Sequence, residues 1–317
     1  MFEMNPVLVR PANEWDRSYI TKFGVRVSRT PLSFNRFFGV DVPDEYGVGL
    51  PSDAATRVNN DVHTCISVGT LMRSGYNRIR EIMSMTESSL PVYPRLIYKD
   101  LDVVTARYRN LERNVDILVR DTLNMLGFDR IDACITVLPS PINHIRLSGK
   151  EIDVSADVVV EYNAPSGPKS ILLIHEDKSI SRGAEIHAAL PQLVAEALSV
   201  YNANKNSEPM MTEQDIYGVT MLGTVPTFYK IPITDELIDI VEAGVPVTTT
   251  TCTIKWCSPV VHDVYPTPAH ADIIATDEGC FTMYLKSYEA LRRLVTRMFE
   301  AMRAADRMRE SDLSSVE

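Results

Sequence analysis

Glu176 and Lys178 lie two residues apart in the segment ILLIHEDKS, residues 171–179. On an extended strand, residues i and i+2 share a face, so an acid and an amine project together at the end of an apolar run. Asp157 lies in DVSADVVVEY, residues 153–162, the strand-like run just before it. An antiparallel neighbour can bring the Asp157 carboxylate beside Glu176. Two carboxylates with room for water between them suit Mg2+ or Mn2+, which prefer oxygen ligands, and the main chain at Asp177 offers one more oxygen. Such a cation polarises a phosphodiester and acidifies a bound water. Lys178 beside it would position that water or offset charge in the pentavalent transition state.

Other residues compete for these roles. Asp153 and Glu161 share the strand parity of Asp157. Asp157 is preferred because it opens the apolar run Val158–Val160, where a buried carboxylate demands a partner. Glu112 and Asp116 share one helix face at i and i+4, but they sit among Arg109, Arg113 and Arg120, and helix-surface pairing is the expected role. His175 should point away from Glu176, as a core or surface histidine. Cys252, Cys257, His262 and His270 match no standard zinc spacing. Residues 284–310 carry seven basic side chains (Lys286, Arg292, Arg293, Arg297, Arg303, Arg307 and Arg309). A solvated face is expected of them, and contact with a nucleic-acid backbone is the alternative. No Gly-rich phosphate loop, HExxH or GxSxG occurs, which removes support for kinase, NTPase, zincin and serine-hydrolase chemistry.

The elements that must position these groups follow from periodicity. Residues 1–50 read as an irregular arm over the rest, and residues 53–87 as a helical stretch. Residues 101–126 read as a clearer helix, stopped by Gly127. The period then changes to two. Residues 131–138, 142–147, 152–162 and 170–177 read as strands, with a hairpin turn at Ser148-Gly149-Lys150 and a second turn at 164–168. With no helices between them, these strands should be antiparallel. A helix follows at 184–202, with Pro191 at its start or kinking it. Strands at 216–222 and 227–233, a short helix after Thr234, a β-rich segment at 245–256 and a terminal helix over 284–308 complete the chain.

The chain has 317 residues, 45% of them apolar, enough for a sizeable core without disulfides. Five irregularly spaced Cys read as free thiols of a reducing compartment. No apolar run approaches a membrane span, so an intracellular place, cytoplasm or nucleus, is expected. The net charge is −10, which opposes broad, non-specific attraction to nucleic acid.

The pattern Asp157, then Glu176-Asp177-Lys178, then Gln192 in the next helix resembles the PD-(D/E)xK, or restriction-endonuclease-like, nuclease superfamily. The stretches PQLVAEALSVYNANKN and YGVTMLGTVPTFYKIPIT look like a large group of uncharacterised fungal proteins carrying such a motif. The resemblance spans about residues 100–260. The resemblance implies an α/β fold, a mixed central sheet flanked by helices with an αβββαβ core. It also implies helical additions at both ends: an arm and helical region over 1–95, the core over 96–260 and a packed extension over 261–317. It implies Asp157, Glu176, Lys178 and Gln192 as the catalytic set, with Asp157, Glu176 and Asp177 around Mg2+ or Mn2+. DNA or RNA would be the partner. Ala156 stands where the motif has Pro, and Asp177 where it usually has an apolar residue. These departures and the acidic charge keep a second expectation open: a nuclease fold that binds without turnover, as an effector-like interaction protein.

Overall fold

The computed structural model describes residues 9–71, 90–104, 112–131, 134–139, 142–163, 169–178, 189–207, 210–261 and 273–314. The expected helix through 72–87 and 105–111, the turn at 164–168, and His262 and His270 lie outside the described residues. The helices are α1 (Arg17–Lys22), α2 (Phe34–Phe38), α3 (Ser52–Leu71), α4 (Val92–Asp102), α5 (Glu112–Met125), α6 (Ala189–Ser207), α7 (Asp235–Ala243), α8 (Ile273–Thr276) and α9 (Glu278–Ser314). The strands are β1 (Val25–Val27), β2 (Ile135–Pro139), β3 (Ile142–Leu147), β4 (Lys150–Ser155), β5 (Val158–Asn163), β6 (Lys169–Lys178), β7 (Glu213–Leu222), β8 (Val225–Thr234) and β9 (Cys252–Cys257).

Among the described residues, seven strands form one mixed sheet in the order β1-β9-β8-β7-β6-β5-β2. The pairs β6–β7 and β1–β9 are parallel. The pairs β2–β5, β5–β6, β7–β8 and β8–β9 are antiparallel. The crossover through α6 is what makes β6 and β7 parallel, since a hairpin cannot. The chain is therefore mixed α/β, with helices on both faces of a mixed sheet.

Two-sided burial explains the sequence of the central strands. Val158 and Val160 of β5 face a core built with α3, α4, α5 and α9. Val159 between them faces a second core, built with α1, α6 and α7. Strands covered on both faces read as unbroken apolar runs rather than alternating ones. The same holds for Leu173 and Ile174 of β6, which enter the first and second core respectively.

The expected strand over 152–162 is in fact two. It breaks at Ala156-Asp157, where β4 leaves a separate two-stranded hairpin with β3 and β5 joins the main sheet. Ser148 (φ 50) and Gly149 (φ 74) form the hairpin turn, and positive φ at both central residues suits the right-handed twist of the flanking strands.

Close packing of α6 on the sheet depends on Gly218 in β7. A Cβ there would come within 2.9 Å of the Leu193 side chain. We expect Gly218→Ala to cost about 1–3 kcal/mol by overpacking, read as a lower urea midpoint at unchanged m-value.

The N-terminal region is not the irregular arm expected of it: it forms α1, β1 and α2, and β1 joins the main sheet beside β9, while basic residues of α9 hold its segment 38–48. Arg292 donates to the carbonyl of Val48, Arg293 to that of Glu45 and Arg297 to that of Phe38, each at 2.7 Å. Lys286 pairs with Asp44, and Arg303 covers the Phe299 ring. Lys286, Arg292, Arg293 and Arg297 are thus structural ties, whereas Arg303 and Arg307 are exposed, as a solvated face requires.

Candidate functional site

The site lies at the C-terminal end of β6, where parity sorts the residues onto two faces. His175 pairs in register with Val219 and Asp177 with Met221, and both partners belong to the core under α5 and α9. Glu176 pairs with Thr220, whose hydroxyl bonds Tyr229 of the opposite core. Glu176 is therefore buried on the α6 face, the face of Ile174. His175, Glu176 and Asp177 are all fully buried.

Asp157 lies just before β5, at the break. Its backbone N–H donates to the His175 carbonyl at 3.1 Å, extending the ladder by one residue. Its Oδ2 accepts from the Asp177 N–H at 2.6 Å. This places its carboxylate at the tip of β6, on the side of Asp177. The third member comes from α5: ligand oxygens of Asp116, Asp157 and Asp177 all lie within 4.8 Å of one another. Val115 and Val119 of the same helix are buried, so Asp116 stands at the border of the face that α5 packs against the sheet. Asp177 is fully buried, while Asp116 and Asp157 are half-buried and form the exposed side of the group.

Three carboxylates this close repel one another. Burial, then the charges of Asp177 and Asp157, push the Asp116 carboxyl up to about 8. A second acid pair lies nearby in the helical layer. Asp100 of α4 is likewise raised to about 8, by burial and by Asp121 of α5. The sign of the consequence is fixed. A carboxyl raised in the folded state binds a proton there that the unfolded chain has released, so stability falls as pH rises from about 4 through about 8. Without added metal, the melting temperature should be lower at pH 8 than at pH 5.5. Melting curves at constant ionic strength check this, and Asp100→Asn should flatten the slope.

His175 lies behind Asp177. Its Nε2 lies 2.8 Å from the Tyr288 hydroxyl, and its Nδ1 lies 2.7 Å from Asp177 Oδ1. Burial depresses its pKa to about 3, so the ring is neutral. It is a core histidine, on the face opposite Glu176 that strand parity predicts.

No family model matches the chain. No curated protein sequence matches it either.

The structure thus brings together two residues expected at the site, Asp157 and Asp177, and adds Asp116. Glu176 stands outside this group, on the face toward α6. Gln192 is half-buried in the first turn of α6, and Glu196, one turn along, is buried. Lys178 ends β6 opposite Leu222; its side chain lies outside the described residues. The signal for Asp116 was legible as an acid bordering a Val-Val face, but the arginines flanking it in sequence masked it. Nothing local pointed to Tyr288, which lies 113 residues from His175. Among the described residues, no helix is long and apolar enough to cross a membrane.

Proposed function

We infer that the chain is a metal-dependent nuclease of the PD-(D/E)xK kind. The observation that carries the reading is the convergence of Asp116, Asp157 and Asp177 within 4.8 Å at the end of a central strand. An all-carboxylate donor set suits Mg2+ or Mn2+ rather than softer metals. The order of elements supports it too: helix α5, antiparallel β2, β5 and β6, helix α6, then β7 parallel to β6, with the β3–β4 hairpin inserted. This order supports the αβββαβ core that the sequence resemblance implies.

In this reading Asp157 and Asp177 hold the cation and Asp116 completes its cradle. Asp177 thus takes the place the motif gives to Glu176. The bound cation would polarise the phosphodiester and acidify the attacking water. The resemblance would give Lys178 the positioning of that water, although by strand parity it belongs to the face of Glu176 rather than that of Asp177. Glu176, on the α6 face of β6, and Gln192, in the first turn of α6, stand outside this cradle.

Titration calorimetry with Mn2+ tests this, run beside cleavage assays on single- and double-stranded DNA and on RNA. The wild type should bind Mn2+ and cleave one of these substrates, and Asp157→Ala should do neither. Absence of Mn2+ binding by the wild type at millimolar concentration overturns the reading. Because Asp116 must lose its proton to join the cradle, affinity should rise with pH between 6 and 8, by up to about tenfold per unit for one released proton.

A second reading is a nuclease fold that binds without turnover. It is favoured by the net charge of −10 and by the arm's use of the arginines that could have tracked phosphates. Mn2+ binding with no cleavage of any of these substrates would select it.

A further inference from the structure

The helix that supplies Asp116 also carries two arginines on the same face. α5 buries Val115, Leu118, Val119 and Leu123 in the core beneath it. Toward solvent it leaves Arg113, Asp116, Ile117 and Arg120 exposed or half-buried. These lie at i, i+3, i+4 and i+7 and so form one stripe. Arg113 and Arg120 stand about one turn before and one turn after Asp116, which lies on the exposed side of the carboxylate group. Helix-surface pairing of Asp116 with these arginines was the expectation from spacing, and the structure differs. Among the described residues, Arg113 makes no hydrogen bond or ion pair. Arg120 places its Nε 3.6 Å from Asp121 Oδ1, too far for a hydrogen bond, and its side chain is 44% exposed. The strongest charges acting on Asp116 are those of Asp177, Asp157 and Glu112. Two guanidinium groups thus flank three acids without being used to neutralise them.

We propose that Arg113 and Arg120 are phosphate-contact residues: they hold one strand of nucleic acid by phosphates on either side of the one that faces Asp116, Asp157 and Asp177. This rests on the nuclease reading above, which supplies the partner. Seven residues of α-helix rise about 10 Å, and three base steps of a duplex cover the same length at about 3.4 Å each. A strand laid along α5 therefore meets one arginine before and one after the phosphate over the acids. Guanidinium suits the task, because its fork of donors matches two phosphate oxygens. The stripe also gives a chain of net charge −10 a local place for a polyanion. Phosphate contacts fix the position of a strand and read no bases, so binding through the stripe is indifferent to sequence.

Fluorescence anisotropy with a mixed-sequence DNA duplex and with a single-stranded RNA tests it, in chelator so that neither is cut. Arg113→Gln and Arg120→Gln should each weaken binding about tenfold, the low end for a charge-assisted contact. Each should also flatten the slope of log Kd against log salt, by about 0.9 on the duplex or about 0.7 on the single strand. Arg113→Lys keeps the charge and should keep the slope. In calorimetry both glutamine variants should bind Mn2+ as the wild type does. Arg17→Gln is the control: it removes an exposed charge from α1, which packs on the other core, and should change neither Kd nor slope. Wild-type Kd and slope in both glutamine variants overturn the proposal. An equal loss in Arg17→Gln makes binding a matter of net charge and overturns it too. A wild type that binds Mn2+ but neither nucleic acid overturns the phosphate contacts and leaves the cation site standing. A wild type that binds a strand through both arginines but binds no Mn2+ supports the contacts and overturns the nuclease reading alone.

Discussion

Asp177→Asn should weaken Mn2+ binding by at least about 100-fold, the upper end of what losing an outer partner costs, while raising the stability of the metal-free protein. Both effects come from the same geometry. Asp177 is the fully buried member of the group, and the oxygens of Asp116 and Asp157 lie within 4.8 Å of it. Asn has nearly the same shape but no charge. It removes an anionic ligand and, with no cation present, the repulsion that pushes Asp116 up to about 8. Relief of such functional strain is typically worth about 1 kcal/mol. Calorimetry with Mn2+ and melting in chelator read the two effects separately. Glu176→Gln is the decisive comparison. If the site uses Asp177, Glu176→Gln should retain Mn2+ binding, because Glu176 faces the other core. If Glu176→Gln loses binding and Asp177→Asn does not, the ligand set is the one the motif alone suggests. A wild-type affinity accompanied by a lower melting temperature in Asp177→Asn would make the three acids a structural network.

The second large effect is on stability. Arg292 and Glu289 are both fully buried, with Arg292 Nε and Nη2 at 2.9 and 2.7 Å from the Glu289 carboxylate. Removing one partner of a buried pair leaves an uncompensated charge and costs about 3–5 kcal/mol. Arg293 also reaches Glu289, at 3.1 Å from a more exposed position, so part of the charge stays compensated and the low end is expected. Arg292→Ala should therefore destabilise the protein by about 3 kcal/mol. It also removes the tie to the Val48 carbonyl, so limited proteolysis should cut first between residues 39 and 50. Arg292→Met with Glu289→Leu removes both charges while keeping volume, and should recover most of the loss, since apolar replacement of a buried pair is often neutral. If Arg292→Ala changes the urea midpoint by less than about 1 kcal/mol equivalent, the pair is not holding the arm.

The two effects separate what local sequence conveys from what packing conveys. The segments holding Val158–Val160 and Ile171–Ile174 read as period-two strands; their cover on both faces, inside the sheet, came from the structure. Turn chemistry placed the 148–149 hairpin turn and periodicity a helix after residue 184; that β6 and β7 run parallel across it came from the structure. The break at Ala156-Asp157 was not legible, because β4 and β5 have the same local pattern and differ only in which sheet they join.

The chemical neighbourhood was legible in the same limited sense. An acidic strand end after a buried run, with another acid leading the strand beside it, pointed to Asp157 and to residues 176–178. Strand parity then divides HEDK into two alternating sets, and both sets are chemically plausible. Four of the seven basic residues near the C-terminus posed the same problem, because the partners Asp44, Val48, Glu45 and Phe38 of Lys286, Arg292, Arg293 and Arg297 lie more than 240 residues away. By itself, the sequence determined a run of antiparallel strands and the strand end that carries the acids, and its resemblance implied a mixed sheet flanked by helices. The tertiary structure alone decided that Asp177 rather than Glu176 meets Asp157. The reason is that α5, with Asp116, covers one face of β6, whereas α6 covers the other. Which helix covers which face is a property of nonlocal packing that no spacing along the chain encodes.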